Sequence, residues 1–175
     1  PVTAICAGNA HSVAVTSLGF VYTWGSGLHG RLGHGCHVDR PRPTIVSCLS
    51  EPGAKVVSVA AGAAHTMFLE EGGLLMGCGL DSSGQVRAST PAVVDAAPLY
   101  ARELSPNPVD VEGVIEKAEI KEEESTVRAV LCPLPVKGLA AVKRVQCGPF
   151  YTVAQTLAAG EVVAWGQDCL GRPVD

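Results

Sequence analysis

One stretch of 24 or 25 residues is written three times in this chain, and that recurrence limits the fold more than any single motif. VTAICAGNAHSVAVTSLGFVYTWG from Val2 and VVSVAAGAAHTMFLEEGGLLMGCG from Val56 align without a gap at an offset of 54. VKRVQCGPFYTVAQTLAAGEVVAWG from Val142 joins them with one inserted residue. Four stations are shared: Gly8, Gly62 and Gly148; His11, His65 and Tyr151; Gly19, Gly73 and Gly160; Gly25, Gly79 and Gly166. A fixed period of this kind marks repeat architectures, in which each unit buries its apolar surface against its neighbours.

Each copy has the same internal order. A short apolar strand (Ala4-Ile5-Cys6, Val57-Ser58-Val59, Arg144-Val145-Gln146) runs into glycine, and a second strand begins at His11, His65 or Tyr151. A Gly-centred turn leads to a third strand, such as Phe20 to Trp24, and in the first copy a fourth strand is expected from Thr44 to Leu49. Short β-branched and aromatic runs punctuated by glycine read as antiparallel strands. Four of them per period of about 50 residues describe a propeller blade. The 20 glycines and 12 prolines fit many turns and few long helices.

The repeat also decides the meaning of GSGLHG, a literal GxGxxG at Gly25, Gly27 and Gly30. The later copies read GLDSSG (Gly79 to Gly84) and GQDCLG (Gly166 to Gly171), so the first and last glycines recur and Gly27 does not. A phosphate-binding loop needs a helix behind it to supply amides and a dipole. Here LGHGCHVDRPRP follows, whose glycines and prolines cannot continue a helix, and Glu51, near where a ribose ligand would stand, lies in a turn-like Glu-Pro-Gly. The glycines are therefore turn residues, and Gly30, Gly84 and Gly171 are expected in equivalent turns with positive φ.

No Trp-Asp dipeptide occurs, and the kelch-type doublet Gly72-Gly73 stands in one copy alone. The pattern VxxVxxGxxHTxxLxxxGxVYxWGxxxxGxLGxG, followed by proline and another strand, instead resembles the repeats of the regulator of chromosome condensation family. Residues 2 to 49 carry it nearly throughout, including GRLGHG at Gly30 to Gly35, and residues 56 to 85 and 133 to 172 carry it well. The resemblance implies an all-β fold, part of a seven-bladed β-propeller with antiparallel four-stranded blades, about three repeats being present. Three blades cannot close such a ring, so the remaining blades are expected outside this segment or from another chain. The opening Pro1-Val2-Thr3, with no initiator Met, reads as an excised piece of a longer protein.

The expected division is a blade repeat over 1–54, a second over 55–141 with an acidic insertion near 88–127, and an incomplete third over 142–175. Gly30 to Pro43 spans 13 residues while Gly84 to Pro135 spans 51, which sizes the insertion at 38 residues. Residues 110 to 124 carry seven acids and two lysines, a net charge of −5, so the remainder sums to +1 against a total of −4. Such a segment is expected to project from the blade as a solvated loop or as an acidic recognition arm. The net charge gives no case for nucleic-acid binding, and no apolar run approaches a membrane span.

Several side chains are of types that can carry chemistry, and each also has a structural role open to it. His29, His34, Cys36 and His37 crowd into one turn without paired zinc-ligand spacing and read as loop polarity. His11, His65 and Tyr151 recur once per repeat, as a catalytic residue has no reason to do; each is expected to fill space and bond a neighbouring backbone group. Ser12, Thr66 and Thr152 follow them and are expected to satisfy local backbone groups. Trp24 and Trp165 end third strands and are expected to pack between blades; the resemblance includes an ultraviolet sensor built on clustered tryptophans, which two isolated ones do not make. The seven cysteines, an odd number without CxxC, read as buried thiols in a reducing compartment. No catalytic, cofactor-binding or metal residue is assigned, and no cofactor is expected.

The resemblance thus implies an intracellular protein-binding scaffold rather than an enzyme, in the nucleus, cytoplasm or cilium. The alternative, from the family's founding member, is a guanine-nucleotide exchange factor for a Ran-like small GTPase. None of the residues that would perform exchange maps onto this chain.

Overall fold

The structure, a computed structural model, describes residues 1–50, 55–88, 127–158 and 160–174. Among these described residues eleven strands build three antiparallel sheets. The first holds β1 (Val2–Ala7), β2 (His11–Thr16), β3 (Val21–Gly25) and β4 (Arg40–Ile45) in that order. The second holds β5 (Val56–Ala61), β6 (His65–Glu70), β7 (Leu75–Leu80) and β8 (Ala129–Pro135). The third has three strands, β9 (Val142–Cys147), β10 (Tyr151–Thr156) and β11 (Val162–Gly166). This is a partial β-propeller of about three blades.

The register repeats with the sequence. His11 faces Gly25, His65 faces Gly79 and Tyr151 faces Gly166 across the pairing of the second and third strand of each sheet. A bulge interrupts the same place in all three inner pairs, between Val2 and Ala4, between Val56 and Ser58, and between Gln155 and Thr156. Equivalent residues thus hold equivalent positions, and a contact seen at one junction is expected at the next.

Face-to-face packing of the sheets makes two cores. Val13, Val15, Val21, Val46 and Leu49 of the first sheet meet Val56, Val59, Phe68, Met76 and Cys78 of the second. Met67, Leu69 and Leu75 of the second meet Val142, Val145, Ala154 and Trp165 of the third. Met67 and Phe68 are neighbours in β6, so their side chains point to opposite faces; each is fully buried, one in either core. A sheet covered on both faces needs apolar residues at successive positions, which is why β6 reads HTMFL without polar alternation. Truncating Phe68 to alanine would cost about 3–5 kcal/mol.

The fourth strand differs from its expected place. It spans Arg40–Ile45 rather than Thr44 to Leu49, and Ser47–Leu49 forms a 3₁₀ turn that tucks Leu49 into the core. Pro41 and Pro43 lie within the strand because it is the outer edge, where a missing N–H interrupts no ladder. In the second sheet β8 begins at Ala129, ahead of the proline where the repeat resumes. Nearly all of the acidic insertion, including residues 110 to 124, lies outside the described residues. No described helix is long and apolar enough to cross a membrane.

Candidate interaction surface

The equivalent turns after the third strands are the structural base of the site. Gly30, Gly84 and Gly171 have φ of +73°, +72° and +75°, the shared left-handed conformation expected of them. The N–H of each closes a turn on the carbonyl three residues earlier: Gly27, Asp81 and Asp168. Gly27, the glycine without a repeat, has its own reason. A Cβ there would collide with the Val38 carbonyl, and its N–H donates to Asp39 Oδ1 at 2.8 Å.

At that same position the other copies carry Asp81 and Asp168, whose carboxylates organise their turns. Asp81 Oδ1 accepts the N–H groups of Val86 and Arg87, and Asp168 Oδ1 those of Leu170 and Arg172. Arg172 Nε also donates to Asp168 Oδ2 at 2.7 Å, and these bonds lower the carboxyl's pKa. Sequence reasoning passed over both aspartates. Their signal was there, in the substitution of Gly27 by Asp at one station in two copies.

The residue after each of the first two turn glycines, Arg31 and Gln85, offers its carbonyl to the next sheet. Thr66 Oγ1 donates to the Arg31 carbonyl at 2.7 Å, and His11 Nε2 lies 2.8 Å from the same hydroxyl. One junction further, Thr152 Oγ1 donates to the Gln85 carbonyl at 2.8 Å with His65 Nε2 at 3.1 Å. The hydroxyl proton is committed to the carbonyl, so each imidazole must give its Nε2 proton. A second donor from the next sheet reaches each carbonyl: Cys78 Sγ at Arg31 and Trp165 Nε1, 2.9 Å away, at Gln85.

This corrects two expectations. The threonines satisfy carbonyls 35 and 67 residues away rather than local ones. The histidines meet a hydroxyl, not backbone, because the neighbouring sheet inserts it between ring and carbonyl. A His–Thr pair at this distance resembles a base and nucleophile. Here the histidine donates, the hydroxyl is saturated and both residues are buried, so the contact holds sheets together. Burial lowers the pKa of His11 and His65 to about 4, with Arg31 adding to the effect on His11 and His11 adding to it on His65.

The connection from β3 to β4 gathers several polar and charged side chains. Arg31 is buried and donates to the Leu28 carbonyl at 2.8 Å and, across the junction, to the Ala63 carbonyl at 3.3 Å. His34 lies 2.9 Å from Thr23 Oγ1, which donates to the Leu32 carbonyl, so it repeats the ring–hydroxyl–carbonyl arrangement within one sheet. Arg40 Nη2 contacts Cys36 Sγ at 3.7 Å. His29 has φ of +60°, and burial, then Arg31 and His37, lower its pKa. Among the described residues no group of three or more His, Cys, Asp or Glu is placed to hold a metal ion. Asp39 and Arg42 are exposed beside this turn, while Arg40 is part-buried.

None of the seven cysteines, all described, is in a disulfide. Cys78 is buried, but Cys48, Cys132 and Cys169 are exposed, against expectation, because they sit in the outer connection, the outer strand and a surface turn. Burial pushes the Cys6 and Cys147 thiols up to about 12, so both stay protonated.

Models of the "Regulator of chromosome condensation (RCC1) repeat" match residues 19–69, and 2–31 and 56–85. The chain belongs to the regulator of chromosome condensation repeat family. It is 30% identical over 171 residues to the ultraviolet-B receptor UVR8 of Arabidopsis thaliana, covering 96% of this chain and 30% of that protein. It is 29% identical over 170 residues to RCC1 domain-containing protein 1 of Homo sapiens, covering 94% of this chain and 44% of that protein. Among solved structures, Prp20p of Saccharomyces cerevisiae superposes with a TM-score of 0.64 at 24% identity, over 93% of this chain and 32% of that one. The chain thus spans less than half the length of these relatives. Repeats of this family serve as interaction or regulatory modules.

Proposed function

We propose that this chain is a protein–protein interaction module, part of an intracellular scaffold that holds a partner without covalent chemistry. One observation carries the reading. The polar residues that recur with the repeat bond to one another across the junctions, whereas Asp39 and Arg42, which do not recur, are exposed at the end of the β3–β4 connection and in β4. The outer strand β4 of the first sheet carries Arg40 and Arg42, and the stretch leading to the outer strand in the second copy contains the acidic segment 110–124. The partner of that acidic segment is basic, and its affinity falls as salt screens the pairing.

Guanine-nucleotide exchange on a Ran-like GTPase is the second reading. It is supported by the fold likeness to Prp20p, a protein whose structure is described with its binding to Gsp1p and histones. Release of a labelled nucleotide from a Ran-type GTPase separates the two. Acceleration by orders of magnitude would establish exchange and remove the scaffold reading. A salt-sensitive protein partner that is lost on deleting residues 110–124, with nucleotide release unchanged, supports the scaffold.

A further inference from the structure

Three cysteines from different elements converge on the turn that holds Gly33 and Gly35. The Cys48 thiol, in the Ser47–Leu49 turn, donates to the Gly33 carbonyl at 3.7 Å. A Cβ on Gly33 would stand 3.2 Å from the Pro133 ring and 3.3 Å from Cys78 Sγ, and one on Gly35 would stand 3.3 Å from Cys132 Sγ. The Gly35 N–H donates to the Leu131 carbonyl at 3.0 Å, which holds this turn along β8. Cα atoms of the Ser47–Leu49 turn and of β8 approach within 8 Å. Being glycines, residues 33 and 35 put no side chain between Cys48 and Cys132.

We propose that Cys48 and Cys132 are an oxidation site, joined by hydrogen peroxide into a reversible disulfide that fastens the outer turn of the first sheet to the outer strand of the second. One thiolate attacks a peroxide oxygen and the O–O bond breaks. A sulfenic acid forms, and the departing hydroxide takes up a proton to become water. The other thiolate then attacks that sulfur, the S–O bond breaks, and a second hydroxide leaves and becomes water. Two thiols lose two electrons and two protons in all, and one peroxide is reduced to two waters.

The neighbouring thiols are poorer partners. Cys78 is fully buried, and burial first, then Cys48 and Cys132, hold its pKa well above the ordinary thiol value, so it stays protonated and unreactive. Cys36 is half-buried, with its Sγ turned to Arg40 Nη2 at 3.7 Å. Cys48 and Cys132 are both exposed to an oxidant arriving from solvent. They stand at the outer edges of their sheets, where a turn and an edge strand can shift to the roughly 4.4–6.8 Å Cα separation that a disulfide spans.

The test treats the full natural polypeptide that carries this chain with a small molar excess of hydrogen peroxide, alkylates the remaining thiols and maps the peptides by mass spectrometry. Digestion with trypsin and with a protease that cuts before aspartate separates Cys36 from Cys48 at Asp39. The expected product is a Cys48–Cys132 peptide pair, lighter by two hydrogens than the two thiol peptides and formed within one polypeptide. It should be at least about tenfold more abundant than any other linked pair, because thiols held side by side react at an effective concentration far above that of the protein. Dithiothreitol should remove it, and Cys48→Ser or Cys132→Ser should abolish it. Oxidation of the exposed Cys169 with Cys48 and Cys132 left as thiols would overturn the proposal. So would Cys132 linked to Cys36, sulfinic or sulfonic acid at either residue in place of the pair, or a pair found only between two polypeptides.

Discussion

The hydroxyl of Thr152 and the carbonyl of Gln85 lie 2.8 Å apart although they belong to different sheets and are separated by 67 residues. The bond closes a chain that starts at the His65 ring, so its loss strands two buried groups at once. Thr152→Val, and Thr66→Val at the other junction, are expected to lower stability by about 1–3 kcal/mol each. Serine at either position should restore most of the loss, since it keeps the hydroxyl. Urea midpoints of the three forms check this.

Stability should depend on pH through the same histidines. Folding lowers the pKa of His11 and His65 from 6.5 to about 4, so the unfolded chain binds more protons between these values. Their contribution is fully present above pH 6.5 and is lost as pH falls toward 4, by up to about 3 kcal/mol each. Urea midpoints measured through this window should slope downward toward acid, and His65→Gln should flatten the slope by roughly half.

The three turn glycines should respond unequally to alanine. Positive φ alone makes Gly84→Ala and Gly171→Ala cost about 1 kcal/mol, since nothing lies within 4 Å of the added methyl. At Gly30 the methyl would stand 2.6 Å from Leu131 Cδ2 and 2.8 Å from its Cα. Gly30→Ala should therefore lose clearly more than the other two, and equal losses would show that packing around Leu131 gives way.

Arg87 offers the opposite case. It has φ of +52° at the station where Gly33 has +76°, and its side chain is exposed. The hydrogen bonds it makes to Asp81 and Lys137 use its backbone alone, so Arg87→Gly preserves them. Relief of the left-handed strain should raise stability by up to about 1 kcal/mol, read as a higher urea midpoint.

The period of the sequence was enough to place His11, His65 and Tyr151 together and to assign the turn glycines, because each depends on what recurs at one station. What it left unread depends on which station of one repeat meets which station of the next. Thr66 reaches Arg31 across an offset of 35, a distance that no alignment of the copies contains. The end of β4 was misplaced for a different reason. Proline is rare in strands generally but permitted on an outer edge, and edge position follows from the assembled sheet. Asp81 and Asp168 are legible as the residues that replace Gly27, which solves the same turn without a side chain.

The ring–hydroxyl–carbonyl link also limits how such a protein can be rearranged. The first two repeats supply the imidazole and the carbonyl at the rear, and the second and third supply the hydroxyl and second donor at the front. A repeat moved to another position brings its hydroxyl along but must accept a stranger's histidine and turn. Swapping or duplicating repeats will therefore succeed when the cut preserves a whole junction, running from the second strand of one unit to the third strand of the next. A cut made at the repeat boundary itself divides every junction it touches, and grafts designed that way should assemble poorly even when each unit is native in sequence.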